Sequence, residues 1–192
     1  QPGSTGSARI PSVPVAGNRS RGHGRPCVEG DRHSADNIPM GKSTPSTSPH
    51  PTPADERPWA LVTGASAGIG MEFCRQLAAR GYALVLLARR EDRLRALAEE
   101  LASRHGTSCR IITADLAEPE ACDAIMAALD GTPVEMLVNN AGYGVPGRLV
   151  DVPWSTHQAF LQVMVTAVCE LTWRLMPGMM ERQSGYIVNV AS

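Results

Sequence analysis

From Trp59 onward the chain alternates between short apolar runs and longer amphipathic stretches. The runs are Ala60-Leu61-Val62, Ala83 to Ala88 (A-L-V-L-L-A), Arg110 to Ala114, Glu135 to Val138 and Tyr186 to Val190. A continuous apolar run without alternation suits a strand of a parallel sheet covered on both faces. The stretches between the runs repeat apolar residues at helical spacing. Ile69, Phe73 and Leu77 mark the first, closed by Gly81. Leu94, Leu97 and Leu101 mark the second, opened by Glu91-Asp92 and closed by His105-Gly106. Ile125, Met126 and Leu129 mark a third, expected to start near Pro119 and to end at Asp130-Gly131. The fourth is long, beginning at Trp154-Ser155 and carrying Phe160, Val163 or Met164, Ala167, Leu171 and Leu175. Pro177 is expected to kink or restart it, and Ser184-Gly185 to end it. Strand and helix in strict alternation predict an α/β fold with a doubly wound parallel sheet. Sites in such sheets lie at the carboxyl ends of the strands.

The first 57 residues break the pattern. They hold nine of the fifteen prolines, seven glycines, a dozen Ser or Thr and no aromatic residue. Such a segment buries too little apolar surface to offset its chain entropy. Residues 1–57 are therefore expected to be a disordered or linker extension, and residues 58–192 the folded domain. Arg9, Arg19, Arg21 and Arg25, with several serines and no acid over residues 1–26, fit an organelle transit peptide only loosely. Seven basic against five acidic residues leave the extension at +2, too little for a nucleic-acid arm.

Between the first run and the first helix stands Thr63-Gly64-Ala65-Ser66-Ala67-Gly68-Ile69-Gly70. A helix N-terminus offers unpaired N–H groups and the positive end of a dipole, so it attracts phosphate. Glycines let the backbone turn tightly and approach a pyrophosphate. No Lys-Ser or Lys-Thr follows Gly70, which excludes a Walker A loop. About 20 residues further on, where a dinucleotide fold places the group that reads the adenosine ribose, the second run ends at Ala88-Arg89-Arg90. An acid there would accept from the 2′-hydroxyl of NAD. A guanidinium suits a 2′-phosphate by charge and by its donor fork. Arg89 therefore predicts NADP(H) over NAD(H). Asp115-Leu116 stands at the end of the third run, where Asp115 also reads as an N-cap for the next helix. Asn139-Asn140-Ala141-Gly142 follows the fourth.

These motifs together resemble the short-chain dehydrogenase/reductase family. Thr63 to Gly70 is similar to its T-G-x-x-x-G-x-G cofactor turn, and Asn139 to Gly142 to its N-N-A-G. Pro177 to Ser192 (P-G-M-M-E-R-Q-S-G-Y-I-V-N-V-A-S) resembles the approach to its catalytic serine. The resemblance covers roughly residues 58–192. It implies a Rossmann-like domain and an oxidoreductase that transfers hydride between NADP(H) and a small-molecule carbonyl or alcohol. By the same resemblance Gly64, Ser66, Gly68, Ile69 and Gly70 hold the pyrophosphate and nearby ribose. Asp115 and Leu116 lie beside the adenine, Asn140 borders the cofactor, and Ser192 hydrogen-bonds the substrate oxygen. Family members usually pair through helices that include the long one, which implies a homo-oligomer.

The chain departs from the family twice. Met164 stands where the family has an asparagine that helps hold a water in a proton relay, and methionine cannot replace an amide. The family's acid/base pair is Tyr-x-x-x-Lys, whereas Tyr143 and Tyr186 are followed four residues on by Gly147 and Val190. Positioned proton transfer is worth roughly 10²–10⁴-fold. The domain is accordingly expected to be truncated after its fifth strand, inactive alone, and exposed along its long helix. The alternative is a dinucleotide-binding regulatory protein without catalysis.

A net charge of −1 gives no electrostatic case for nucleic acid or a membrane surface. No apolar run approaches the roughly 18 residues of a spanning helix. The five cysteines form no C-x-x-C pair, and the five histidines complete no metal-ligand spacing, so no metal is expected. Reduced, core-type thiols fit a cytoplasmic setting.

Overall fold

The computed structural model describes residues 57–191. The expected disordered extension, Arg57 apart, and Ser192 lie outside the described residues.

The five apolar runs form five parallel strands in the order β3-β2-β1-β4-β5. They are β1 Trp59–Thr63, β2 Ala83–Ala88, β3 Cys109–Thr113, β4 Val134–Asn139 and β5 Tyr186–Asn189. The strand order reverses beside β1, which opens a crevice between the carboxyl ends of β1 and β4. β1 pairs with β2 from Trp59↔Ala83 to Thr63↔Leu87, and with β4 as far as Val62↔Val138. All six residues of β2 are buried, as its unbroken apolar sequence requires.

Two helical layers cover the sheet. On one face α1 (Gly68–Ala79) and α2 (Glu91–His105) bury Cys74, Leu77, Leu94, Leu97 and Leu101 against Ala60, Val62, Leu84 and Leu86. Each leucine buried in this way contributes about 1.5–3 kcal/mol. Arg75 of α1 donates two hydrogen bonds of 2.9 Å to Glu100 of α2. On the other face α3 (Ala121–Leu129) and a long helix bury Ile125, Leu129, Val163, Ala167, Leu171, Leu175 and Met179 against Leu61, Val85 and Leu137.

Four details differ from the sequence reading. The buried stripe of α1 is Gly70, Cys74, Leu77 and Ala78, while Ile69 is 61% exposed. The helix starts inside the turn with Gly70 pressed inward, which rotates Ile69 away from the core. Helix α3 starts at Ala121 instead of near Pro119, and its N-cap is Glu120. Asp115 does not cap it; its Oδ1 accepts from Ala117 N at 3.0 Å and closes a tight turn after β3. The long helix runs as α4 (Trp154–Leu161), a π-helical segment Gln162–Thr166 and α5 (Ala167–Glu181). Helix α5 spans Pro177, so the proline does not restart it. The irregularity sits in the π segment, where Ala167 N donates to Gln162 O five residues back.

Trp154–Glu181 is also long and apolar enough to cross a membrane, which no single apolar run in the sequence suggested. Its stripe from Val163 to Met179 is buried on the sheet, and it carries Glu170 and Arg174. Only 22% of its most apolar 18-residue window is buried. Its outer side leaves Leu161, Val165, Trp173, Met176 and Met180 exposed.

Candidate cofactor site

The site is built around the hydroxyl of Thr63, the last residue of β1. Thr63 Oγ1 accepts from Asn140 N and Ala141 N, both at 2.9 Å, and donates to Val138 O at 3.3 Å. Asn140 Nδ2 donates back to Thr63 O at 3.0 Å. These bonds fix the chain leaving β4 against the chain leaving β1. Next to them Asn139 Nδ2 donates to Asn189 Oδ1 at 2.9 Å and Thr172 Oγ1 at 3.2 Å. One amide thus ties β4 to β5 and α5.

The glycine turn fits into this frame without side chains. Gly64 has φ of +69°, and a Cβ on it would stand 2.9 Å from Ala141 Cα. A Cβ on Gly70 would collide with Gly64 O and Asn140 Nδ2. Only glycine permits the two turns to pack. Ala67, the N-cap of α1, supplies no side-chain acceptor. The first N–H groups of the helix therefore remain available to an anion.

A pocket of about 320 Å³ opens at these strand ends. Seven of the nine residues expected to bind cofactor line it: Gly64, Ser66, Ile69, Arg89, Asp115, Leu116 and Asn140. Gly68 and Gly70 are not among its lining residues. Gly68 makes the turn, with φ of +55°, and Gly70 makes the packing. The exposure of Ile69 follows from the same placement.

Sequence reasoning missed two parts of the site. Arg90 lines the pocket, and its Nη2 donates to Ser66 Oγ at 3.2 Å. Arg89 turns the other way, with Nη1 3.7 Å from Asp115 Oδ2. The end of β2 therefore presents two guanidiniums, one on the glycine turn and one on the end of β3. The doubled Arg89-Arg90 was the signal for this. Thr63 is the second omission, legible only as a hydroxyl at a strand end.

The opposite end of the pocket is formed by Gly142, Tyr143 and Val163. The Tyr143 ring meets Phe160 edge-on, at 5.7 Å between centroids and 88° between planes. Met164, in the π segment, points its sulfur at Gly142, where a Cβ would stand 2.9 Å from Sδ. A thioether occupies this place and offers no amide. Ser192 lies outside the described residues, so its distance to this wall is not described.

Burial pushes the Cys74 thiol up to about 12 and those of Cys109 and Cys122 to about 11. These thiols are protonated at neutral pH and are not nucleophiles. Among the described residues no group of three or more His, Cys, Asp or Glu could hold a metal ion.

An uncapped helix N-terminus, a side-chain-free turn and two guanidiniums at the strand ends form a donor set for the phosphates of a dinucleotide. On a parallel sheet ordered 3-2-1-4-5 they define a Rossmann-like nucleotide-binding domain. Comparison with known proteins narrows the class. The profile of the family described as short chain dehydrogenase matches residues 58–192, and the chain belongs to that family.

The very-long-chain 3-oxoacyl-CoA reductase of Anas platyrhynchos is 37% identical over 139 residues, covering 70% of this chain and 45% of that protein. The 7beta-hydroxysteroid dehydrogenase of Collinsella aerofaciens is 31% identical over 134 residues, covering 70% and 51%. A short-chain dehydrogenase from Sphingobium yanoikuyae, solved in complex with NADPH, superposes with a TM-score of 0.67 at 34% identity. That match covers 70% of this chain and 53% of the other. The chain thus spans about half the length of the curated relatives it matches.

Proposed function

We propose that the protein is an NADP(H)-dependent oxidoreductase that moves hydride between the nicotinamide and the carbon of a small-molecule carbonyl or alcohol. The observation that carries the cofactor preference is the pair Arg89 and Arg90 at the end of β2, where NAD binding would call for an acid. The NADPH complex of the Sphingobium relative supports it. The relatives reported above are reductases and dehydrogenases, which favours catalysis over a binding-only role. Their named substrates differ, so the reading extends only to the shared carbonyl and alcohol chemistry.

When bound, the dinucleotide supplies the hydride acceptor or donor. The residues of this chain bind and orient. Gly64, Ser66 and the N-terminus of α1 would hold the pyrophosphate, and Asp115 and Leu116 the adenine. Arg89 and Arg90 would meet the ribose phosphate, and Asn140 would border the cofactor. Ser192 would hydrogen-bond the substrate oxygen. The proton at that oxygen belongs to an acid/base that residues 58–192 do not include as Tyr-x-x-x-Lys, so turnover is proposed of the whole protein.

The exposed side of Trp154–Glu181 would pair with a second copy, and the free, buried thiols of Cys74 and Cys122 suit a cytoplasmic setting. Calorimetric titration with NADPH and NADH tests the cofactor reading. NADPH is expected to bind at least about tenfold tighter, as one charge-assisted phosphate contact of about 1.5 kcal/mol or more would give. In an Arg89→Ala/Arg90→Ala double variant the preference should vanish. Equal binding of both cofactors by the unaltered chain would refute it.

A further inference from the structure

Arg89 and Asp115 stand on neighbouring strand ends. β2 and β3 run in register to Ala88↔Thr113, and Ala114 N donates to Ala88 O at 3.2 Å. The Arg89–Asp115 ion pair therefore joins the two strands just beyond their last shared hydrogen bond. Both residues line the pocket together with Ala88 and Leu116, its apolar wall at this end. The two halves of the pair are held differently. Asp115 is anchored, since its other oxygen accepts from Ala117 N. The Arg89 side chain is 68% exposed and free to swing. Arg90 lies apart from them, on Ser66.

We propose that Arg89 and Asp115 form a strap across the adenine end of the pocket, which screens nucleotides by whether they carry a phosphate on the ribose. The proposal rests on the dinucleotide reading above and adds to it a gate. A ribose phosphate offers Arg89 a dianion with three acceptor oxygens, a better partner than one carboxylate oxygen at 3.7 Å. The phosphate draws the guanidinium across toward Arg90, and the strap parts. A nucleotide with a bare ribose has nothing to exchange for the pair. It must break the contact uncompensated or bind beside it. Asp115 thereby acts against the wrong ligand as well as beside the right one. An exposed pair of this kind is worth about a two- to fivefold change in affinity.

The test titrates the 192-residue chain by NMR with adenosine 2′,5′-bisphosphate and with AMP, which differ only in the 2′-phosphate. Asp115→Asn keeps the acceptor for Ala117 N and removes the charge. It should shift the affinity ratio toward AMP about two- to fivefold, because loss of the adenine contact falls on both probes alike while loss of the strap relieves AMP alone. Arg89→Gln breaks the strap from its other side. It should tighten AMP by a similar factor and weaken the bisphosphate, and combining the two should bring AMP no further gain. If Asp115→Asn changes both probes by the same factor, Asp115 acts only as the adenine contact and there is no strap. If the bisphosphate is preferred but Arg89→Gln does not tighten AMP, the cofactor reading stands and the strap falls. If the unaltered chain binds neither probe, both fall together.

Discussion

The sheet has a dry centre and half-covered edges. In β2 every residue is buried and β1 is nearly so, whereas the edge strand β3 has only Ile112 buried. In β5, Tyr186 and Asn189 are exposed and Ile187 and Val188 only half-buried. The long helix beside β5 buries one stripe and leaves Trp173, Met176 and Met180 exposed. The groups proposed to read the adenosine end stand at the ends of the dry strands β1 and β2 and of the half-buried edge strand β3. The opposite end of the pocket borrows its wall from the half-covered side.

Four measurements bear on that contrast, beginning with the largest expected effect. Leu86→Ala removes a fully buried side chain of β2 and should cost about 2–5 kcal/mol in denaturant unfolding. Ile187→Ala on β5 should cost about 1 kcal/mol, because part of its surface is already wet. Equal losses at the two sites would erase the distinction. Thr63→Val keeps the shape and deletes the hydroxyl that satisfies Asn140 N and Ala141 N. It should cost about 1–3 kcal/mol and weaken NADPH binding, and Thr63→Ser should restore both. A Val variant with unchanged affinity would mean that the clasp between β1 and β4 does not shape the pocket.

The smallest effect belongs to the bridge between α1 and α2. Hydrogen bonds from Arg75 hold the Glu100 carboxyl below its ordinary range. A depressed carboxylate stabilises the fold above its unfolded pKa, and that contribution is lost as pH falls through the folded value. Glu100→Gln should therefore cost less than about 1 kcal/mol at neutral pH, since the pair is partly exposed. Variant and parent should converge in acid. A gap that persists below the carboxylate range would assign the effect to packing.

β2 was legible because a parallel strand sealed on both faces must be continuously apolar, and Ala83–Ala88 could be read to the residue. The stripe Leu94, Leu97 and Leu101 was equally plain. The phase of α1 was not. Hydrophobicity alone puts Ile69 inward, whereas the contact of Gly70 with Gly64 O decides the rotation, and a glycine carries no signal of what it touches. The division of labour between Arg89 and Arg90 depends on which acceptor each can reach, a fact of three dimensions. The family resemblance pointed to the glycine turn, Asp115, Leu116 and Asn140, and the structure brings Gly64, Asp115, Leu116 and Asn140 together around one pocket.

The contact between Met164 and Gly142 makes two distant positions a single inheritance. They share one volume, so neither can change size unless the other yields. Gly142→Ala should be poorly tolerated beside methionine and better tolerated beside a shorter residue at 164, a non-additive pair in a double-mutant cycle. Grafting the family's asparagine into position 164 would therefore do more than add an amide. It would open space behind the pocket wall, and the glycine facing it would lose the neighbour that fills its missing side chain.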